Sequence, residues 1–177
     1  MTKVFQTIID QGNGNCMQAA IASLFDLPLE QVPHFPEHEN WNQVLMKFFE
    51  DRGYNCSFIE NQESTEAIWH REHRPPIDDL NLHVYGMIDK NNAMLTNQPT
   101  IQEIAQYDGG INGYFYAVVN SQSFKDCTHA VVCDSELNIV HDPNPNGKAL
   151  NLKVSDILRI MVVKNFYIDL DGTFVNL

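Results

Sequence analysis

Residues 11–25 read QGNGNCMQAAIASLF, and this stretch decides the fold because a loop of glycine and asparagine runs directly into an apolar, alanine-rich segment. Asn15 is a favoured N-cap residue, so the pattern predicts a helix that has Cys16 in its first turn. The residues three, four and seven positions after Cys16 are alanine, alanine and serine. They share its helical face, and their small size lets the helix pack closely against a neighbouring element.

The position of Cys16 favours the thiolate, because the thiol faces unpaired backbone N–H groups and the positive end of the helix dipole. The thiolate is the nucleophilic form of cysteine, so Cys16 is a candidate catalytic nucleophile. The alternative is a structural cysteine that opens an ordinary core helix, since unpaired cysteines are among the most buried residues.

The composition limits the class of protein. The 177 residues are enough for a core, and we expect one domain over residues 1–177. The net charge of −12 argues against a broad basic surface, so neither nucleic acid nor an anionic membrane is an expected partner. No secretory signal opens the sequence, and no apolar run approaches the roughly 20 residues of a membrane span. We therefore expect a cytoplasmic protein with reduced cysteines.

The order of the predicted elements indicates the fold class. After a strand or extended arm at residues 4–9, helices are predicted at residues 16–25 and 41–52, with a shorter capped helix at 100–107. Strands are predicted at residues 54–60, 82–88, 113–120, 128–133, 137–141 and 159–168. Because helices come first and a run of strands follows, the sequence predicts an α+β domain in which N-terminal helices pack on an antiparallel sheet.

A nucleophilic cysteine needs a base, and histidine is the usual one. Among the seven histidines, His129 differs because it begins a short apolar strand and would lie where that strand starts. The next strand ends at Asp142, whose carboxylate could orient the imidazole of His129 from a neighbouring antiparallel strand. Asn144 is an alternative orienting residue, since its amide oxygen can accept the same N–H. The other interpretation is that residues 142–145 are only a turn that ends the strand and have no catalytic role.

A metal site is not expected. Cys127, His129 and Cys133 share one face of the predicted strand, but His129 and Cys133 would stand about 13 Å apart at ~3.3 Å per residue. Zinc bonds measure about 2.0–2.3 Å, so one ion cannot join them. The sequence therefore predicts neither a metal nor any other cofactor.

Three stretches carry a resemblance to a known family: Asn15-Cys16 with its alanine-rich helix, residues 129–132 (His-Ala-Val-Val), and Asp142-Pro143. In this order they resemble the papain-like cysteine peptidase fold, and most closely the C39 peptidases, the double-glycine leader peptidases of bacteriocin export systems. They are also similar to small uncharacterised phage and bacterial proteins. The resemblance implies a single papain-like domain in which Cys16 is the nucleophile, His129 the base and Asp142 the orienting residue.

The chain departs from the family pattern at two positions. The family has an oxyanion-hole glutamine about six residues before its cysteine, whereas Gln11 stands five residues before Cys16. The resemblance makes Gln11 the candidate oxyanion donor, together with the backbone N–H of Cys16. Met17 stands where the family often has glycine.

The first functional hypothesis is a cysteine hydrolase, a peptidase or amidase, that acts on a peptide, protein or small amide through a thioester. An amine in place of water would make it an acyltransferase or transglutaminase with the same three residues. A second hypothesis is an inactive papain-like binding protein, such as a phage-encoded inhibitor or host-interaction factor in the host cytoplasm. A third is a structural domain whose Cys16 and His129 are core residues. We expect segments 33–39 and 61–79 to determine the substrate, and the oligomeric state stays open.

Overall fold

The computed structural model describes residues 1–73, 99–168 and 174–176. Its helices are α1 (Cys16–Leu24), α2 (Trp41–Glu50), α3 (Thr65–His73) and α4 (Ile101–Asp108). Its strands are β1 (Tyr54–Glu60), β2 (Phe115–Asn120), β3 (Thr128–Cys133), β4 (Ile139–His141), β5 (Ile157–Ile168) and β6 (Phe174–Asn176). None of these helices is both long and apolar enough to cross a membrane.

The strands form one antiparallel sheet. The order is β1-β5-β2-β3-β4, and β6 pairs with the end of β5. The long strand β5 lies between β1 and β2 and joins the first strand of the chain to the β2–β3–β4 meander. The predicted α+β class with an antiparallel sheet is therefore confirmed.

Helices cover both faces of this sheet. On one face, α1 and α2 pack on alternate residues of β2, including Tyr116 and Val118. On the other face, Ile101 and Ala105 of α4 pack on the intervening residues of β2. A central strand that is buried on both sides needs a continuous apolar run, and five of the six residues of β2 are buried. The prediction that N-terminal helices pack on the sheet is confirmed, and α4 adds the second layer.

The small residues of α1 allow the helix to lie close to β3. Seven of its nine residues are buried, and Ala19, Ala20 and Ala22 are completely inaccessible to solvent. The helix ends at Leu24, shortly before the predicted stop around residues 26–28. This packing fixes Cys16, the first residue of α1, against the sheet.

Several predicted boundaries needed correction. Leu137 was predicted to lie in a strand, but its φ is +62°, and β4 begins only at Ile139. The Asp134 side chain accepts hydrogen bonds from the N–H groups of Glu136 and Asn138, which holds this connection as a turn. Within segment 61–79, Thr65–His73 form helix α3. The strand predicted at residues 82–88 lies outside the described residues.

Candidate active site

The β3–β4 hairpin brings His129 and Asp142 together. His129 is the second residue of β3, and Asp142 directly follows β4. Because the two strands run antiparallel and Val132 pairs with His141, the end of β4 returns toward the start of β3. His129 Nε2 lies 2.6 Å from Asp142 Oδ1.

Asp142 is held firmly in this position. It is 5 % exposed, and its two oxygens accept hydrogen bonds from the backbone N–H groups of Asn144 (2.9 Å) and Ala149 (3.1 Å). Gly147 packs directly against the carboxylate, since a Cβ added there would lie 1.9 Å from Oδ2. The carboxylate is thus oriented by the backbone on one side and available to His129 on the other.

The loop before α1 positions Cys16 near His129. Cys16 and His129 line the same cavity, and the thiol lies close enough to His129 and to the backbone N–H groups of Met17 and Ala130 for these groups to lower its pKa. Because Asp142 occupies Nε2 of His129, the ring nitrogen left for the thiol is Nδ1. The three side chains that the sequence analysis selected therefore form one continuous line from thiol to imidazole to carboxylate.

The electrostatics of this line favour charge separation. Burial raises the pKa of Cys16, but the hydrogen bond and charge of His129, with the N–H groups of Ala130 and Met17, bring that pKa below its ordinary value. Burial lowers the pKa of His129, but Asp142 and Cys16 raise it to about 9. Burial likewise raises the pKa of Asp142, and the hydrogen bond from His129 and two backbone N–H groups bring it below the ordinary value. The arrangement stabilises a thiolate next to an imidazolium.

Asn144 lies in the same cavity without contacting the imidazole. Its Nδ2 donates to Ser123 Oγ at 3.4 Å, and its Oδ1 accepts from the backbone N–H of Asn146. Among the described residues, the carboxylate of Asp142 is the acceptor for His129, while the backbone N–H of Asn144 supports that carboxylate.

Gln11 and Gln6 occupy different environments. Gln11 is exposed, does not line the cavity that contains Cys16, and donates through Nε2 to the carbonyl of Lys125 at 3.4 Å. Gln6, which the sequence analysis did not select, lines that cavity and is buried. One hydrogen of its amide goes to the Ile8 carbonyl, so the second stays available. Its Oε1 is buried without a hydrogen-bond partner among the described residues.

The N-terminal arm, residues 4–8, is fixed between α1 and the end of β4. The backbone N–H of Gln6 donates to the Pro143 carbonyl, and Nε2 of His141 lies 2.7 Å from the Val4 carbonyl. Asn15 is at the N-cap position of α1, as predicted, but its side chain makes no capping bond. Its Oδ1 instead accepts from the backbone N–H groups of residues 7 and 8. Asn15 therefore connects the Cys16 helix to the arm that carries Gln6.

The cavity has a volume of about 340 Å³. Besides Cys16 and His129, it is lined by four aromatic side chains, Trp41, Phe58, Tyr116 and Phe124, and by two cationic ones, Lys148 and Arg159. From the predicted substrate segments, Pro36 of segment 33–39 reaches the cavity, whereas none of the described residues of segment 61–79 does. Within the described part of the chain, no group of three or more His, Cys, Asp or Glu side chains is placed to hold a metal ion.

Comparisons of the chain with models of protein families, with curated proteins and with solved structures found no match. The roles of the residues around the cavity must therefore be argued from their geometry and chemistry.

Proposed function

We propose that the protein is a cysteine-nucleophile hydrolase of papain-like, C39-like fold that cleaves peptide or amide bonds. The observation that carries this proposal is the line of Cys16, His129 and Asp142, with 2.6 Å between His129 Nε2 and Asp142 Oδ1. Its support is chemical: the pKa of the thiol is lowered while that of its histidine partner is raised to about 9, as an activated nucleophile requires.

The reaction follows from these positions. The Cys16 thiolate attacks the carbonyl carbon of the substrate, and the His129 imidazolium gives its proton to the departing amine, which leaves a thioester on Cys16. Neutral His129 then takes a proton from water as the water oxygen attacks the thioester. The acid product leaves, and the proton on His129 again faces a Cys16 thiolate. Asp142 keeps the imidazole in the orientation that both steps use.

The oxyanion of the tetrahedral intermediate needs donors that already point at it. The N–H of Cys16, in the first turn of α1, has no acceptor within its own helix and is one such donor. The second amide hydrogen of Gln6 is the other, because Gln6 lines the cavity and Gln11 does not. We therefore assign to Gln6 the role that the sequence spacing gave to Gln11.

The test is the rate of Cys16 alkylation by iodoacetamide as a function of pH, read by peptide mass spectrometry. A thiol with a pKa of ~8.5 is less than about 1 % ionised at pH 6, so we expect His129→Ala to slow the alkylation of Cys16 at that pH by roughly tenfold or more. Cys56 is the internal control, because burial, helped by the charge of Glu50, raises its pKa to about 11. A wild-type Cys16 that reacts no faster than Cys56, with no effect of His129→Ala, would refute the proposal.

Turnover is tested separately by incubating the protein with a peptide library in ¹⁸O-labelled water. A hydrolase places one ¹⁸O atom in each newly formed carboxylate, and Cys16→Ala abolishes that label. The competing possibility, a binding protein of the same fold, is favoured by Met17, a bulky residue that lines the cavity next to Cys16. It predicts retention of peptides without ¹⁸O incorporation, in wild type and Cys16→Ala alike.

A cytoplasmic location is part of this proposal, and the unpaired cysteines support it. All four cysteines are unpaired, which suits a reducing cytoplasm, or that of a host cell if the protein is phage-encoded.

A further inference from the structure

Arg159 belongs to the floor of the cavity that contains Cys16. In the sheet, Ala130 of β3 pairs with Val118 of β2, and Val118 pairs with Arg159 of β5. All three residues line the cavity. Two strand spacings separate the Cα atoms of Ala130 and Arg159, which is about 10 Å. Ala130 is close enough to Cys16 for its N–H to lower the pKa of the thiol, so the long side chain of Arg159 and Cys16 can both contact one small substrate in this cavity.

The guanidinium of Arg159 is held against a neighbouring aromatic ring, but it forms few hydrogen bonds or ion pairs with the described residues. It lies 5.2 Å from the centre of the Phe58 ring, and Phe58 in turn packs edge-on against Tyr116. Among the described residues the guanidinium forms an ion pair with Glu60, from Nη1 to Oε1 at 3.5 Å, and this pair is weak because the two side chains are 39 % and 53 % exposed. Arg159 Nε is buried and has no hydrogen-bond partner among the described residues.

Apart from the weak pair with Glu60, no carboxylate among the described residues forms an ion pair with Arg159. Asp142 also lines the cavity, but it is already bound to His129 and to two backbone N–H groups. Burial raises the pKa of Tyr116, so its hydroxyl stays neutral. Asp10, the other carboxylate of the lining, is exposed. A planar guanidinium with open donors matches the two oxygens of a carboxylate.

We propose that Arg159 binds a carboxylate of the substrate, so that the hydrolase acts on peptides or small amides that carry a negative charge close to the scissile bond. This inference rests on the proposed function and specifies its substrate class. The carboxylate has two possible sources, the free C-terminus of a peptide and the side chain of Asp or Glu. Phe58 holds the guanidinium from one side, at 5.2 Å from its ring centre.

Matched alkylating probes test the inference without knowledge of the natural substrate. N-iodoacetyl-glycine is compared with N-iodoacetyl-glycinamide to represent a free C-terminus. N-iodoacetyl-aspartic acid α-amide is compared with its asparagine analogue to represent an acidic side chain. For each pair, the ratio of the rate constants at Cys16, charged over neutral, measures the preference for an anion. The imidazolium of His129 contributes to this ratio in every variant that retains it, so the effect of Arg159 appears as a change between variants.

We expect Arg159→Gln to lower the ratio about tenfold for at least one probe pair, as loss of one charge-assisted hydrogen bond in a half-exposed site would. The pair that responds identifies the source of the carboxylate. Arg159→Lys should fall between wild type and Arg159→Gln, because it keeps the charge and loses the fork of donors. Lys164→Gln is the control, since it removes one charge from an exposed position of the same strand and should keep the wild-type ratio.

Two results would overturn the inference: an unchanged ratio for both probe pairs in Arg159→Gln, or a loss of the ratio in Lys148→Gln with none in Arg159→Gln. These results are distinct from failure of the proposed function. If the proposed function were wrong, Cys16 would react slowly with neutral iodoacetamide, and His129→Ala would not change the rate of that reaction.

Discussion

Two cysteines, one at each end of β3, have pKa values that are shifted in opposite directions. At one end, His129 contacts Cys16 of α1 in the cavity; at the other, Cys133 is completely buried among the apolar residues under α4. Burial raises the pKa of both thiols. Only Cys16 has an imidazole and two backbone N–H groups at its sulfur, and only its pKa ends below the ordinary value. Burial alone thus raises the pKa of a thiol, and the partners at the cavity end more than offset that effect for Cys16.

The comparison predicts that changes at the cavity end alter both stability and thiol reactivity, whereas changes at the buried end alter stability alone. The free energy of unfolding in urea and the alkylation rate of Cys16 separate the two kinds of effect.

The largest effect is expected for Asp142→Ala. The substitution leaves the N–H groups of Asn144 and Ala149 without their acceptor and removes the partner of His129. We expect the free energy of unfolding to fall by about 3 kcal/mol, and the alkylation of Cys16 near neutral pH to slow as well. Asp142→Asn keeps the shape of the side chain and should recover part of the stability but not the reactivity. A stable, fully reactive Asp142→Ala protein would show that the cavity end does not depend on this carboxylate.

The charge of Asp142 also predicts a pH dependence. The pKa of Asp142 is below its ordinary value in the folded protein, so the unfolded chain binds its proton at a higher pH. The stabilisation is therefore present above the unfolded pKa of ~3.9 and is lost as the pH falls through the folded pKa. We expect the difference in unfolding free energy between wild type and Asp142→Asn to narrow as the pH falls below 4. A difference that stays constant down to acid pH would contradict the assignment.

The next effect concerns the link between Cys16 and the N-terminal arm. Asn15 is 2 % exposed and accepts from the N–H groups of Thr7 and Ile8, while its own amide donates to Thr7 Oγ1 and Gln18 Oε1. We expect Asn15→Ala to cost about 2 kcal/mol, because four part-buried hydrogen bonds are lost together. Cys16 alkylation should slow, since the loop that positions the thiol loosens. Asn13→Ala, at an exposed position of the same loop, is the control that should change neither quantity.

The parts of this region that sequence could predict are those fixed by local patterns. The alanine-rich run predicts α1, and the apolar runs around His129 and before Asp142 predict two adjacent antiparallel strands whose polar ends meet. Those patterns were enough to select the three residues that the structure brings together.

Gln6 could not be selected in this way, because its position depends on a loop rather than on a regular element. Gly12 has a φ of +93°, and a Cβ at Gly14 would lie 3.0 Å from the carbonyl of Asp10, so the chain turns tightly between the arm and α1. The number of residues between a glutamine and Cys16 therefore does not indicate how far apart their side chains lie in the fold. The available signal was one glutamine inside a mostly apolar arm, and this signal becomes meaningful only once the arm is known to lie against the cavity.

Gly147→Ala should have a smaller effect that is still confined to the cavity end. Its added Cβ would overlap the Asp142 carboxylate, which must move or the loop must shift. We expect a loss of about 1–2 kcal/mol, typical of overpacking, and slower alkylation of Cys16. The neighbouring Asn146→Ala, at an exposed position, should leave both unchanged. If Gly147→Ala lowered the stability without changing the alkylation rate of Cys16, the orientation of the Asp142 carboxylate would not control the reactivity of the thiol.

The smallest effect is expected at the buried end of β3. Cys133→Ala removes one sulfur atom from a core formed by residues such as Val131 and Ile160, and should cost about 1 kcal/mol. Cys133→Ser should cost more, because its hydroxyl would be buried among apolar side chains. Neither variant should change the pH at which Cys16 becomes reactive, because Cys133 contributes nothing to the charge at the cavity. A shift in that pH would mean that packing under α4 sets the position of His129, and that β3 acts as one rigid unit from the buried core to the nucleophile.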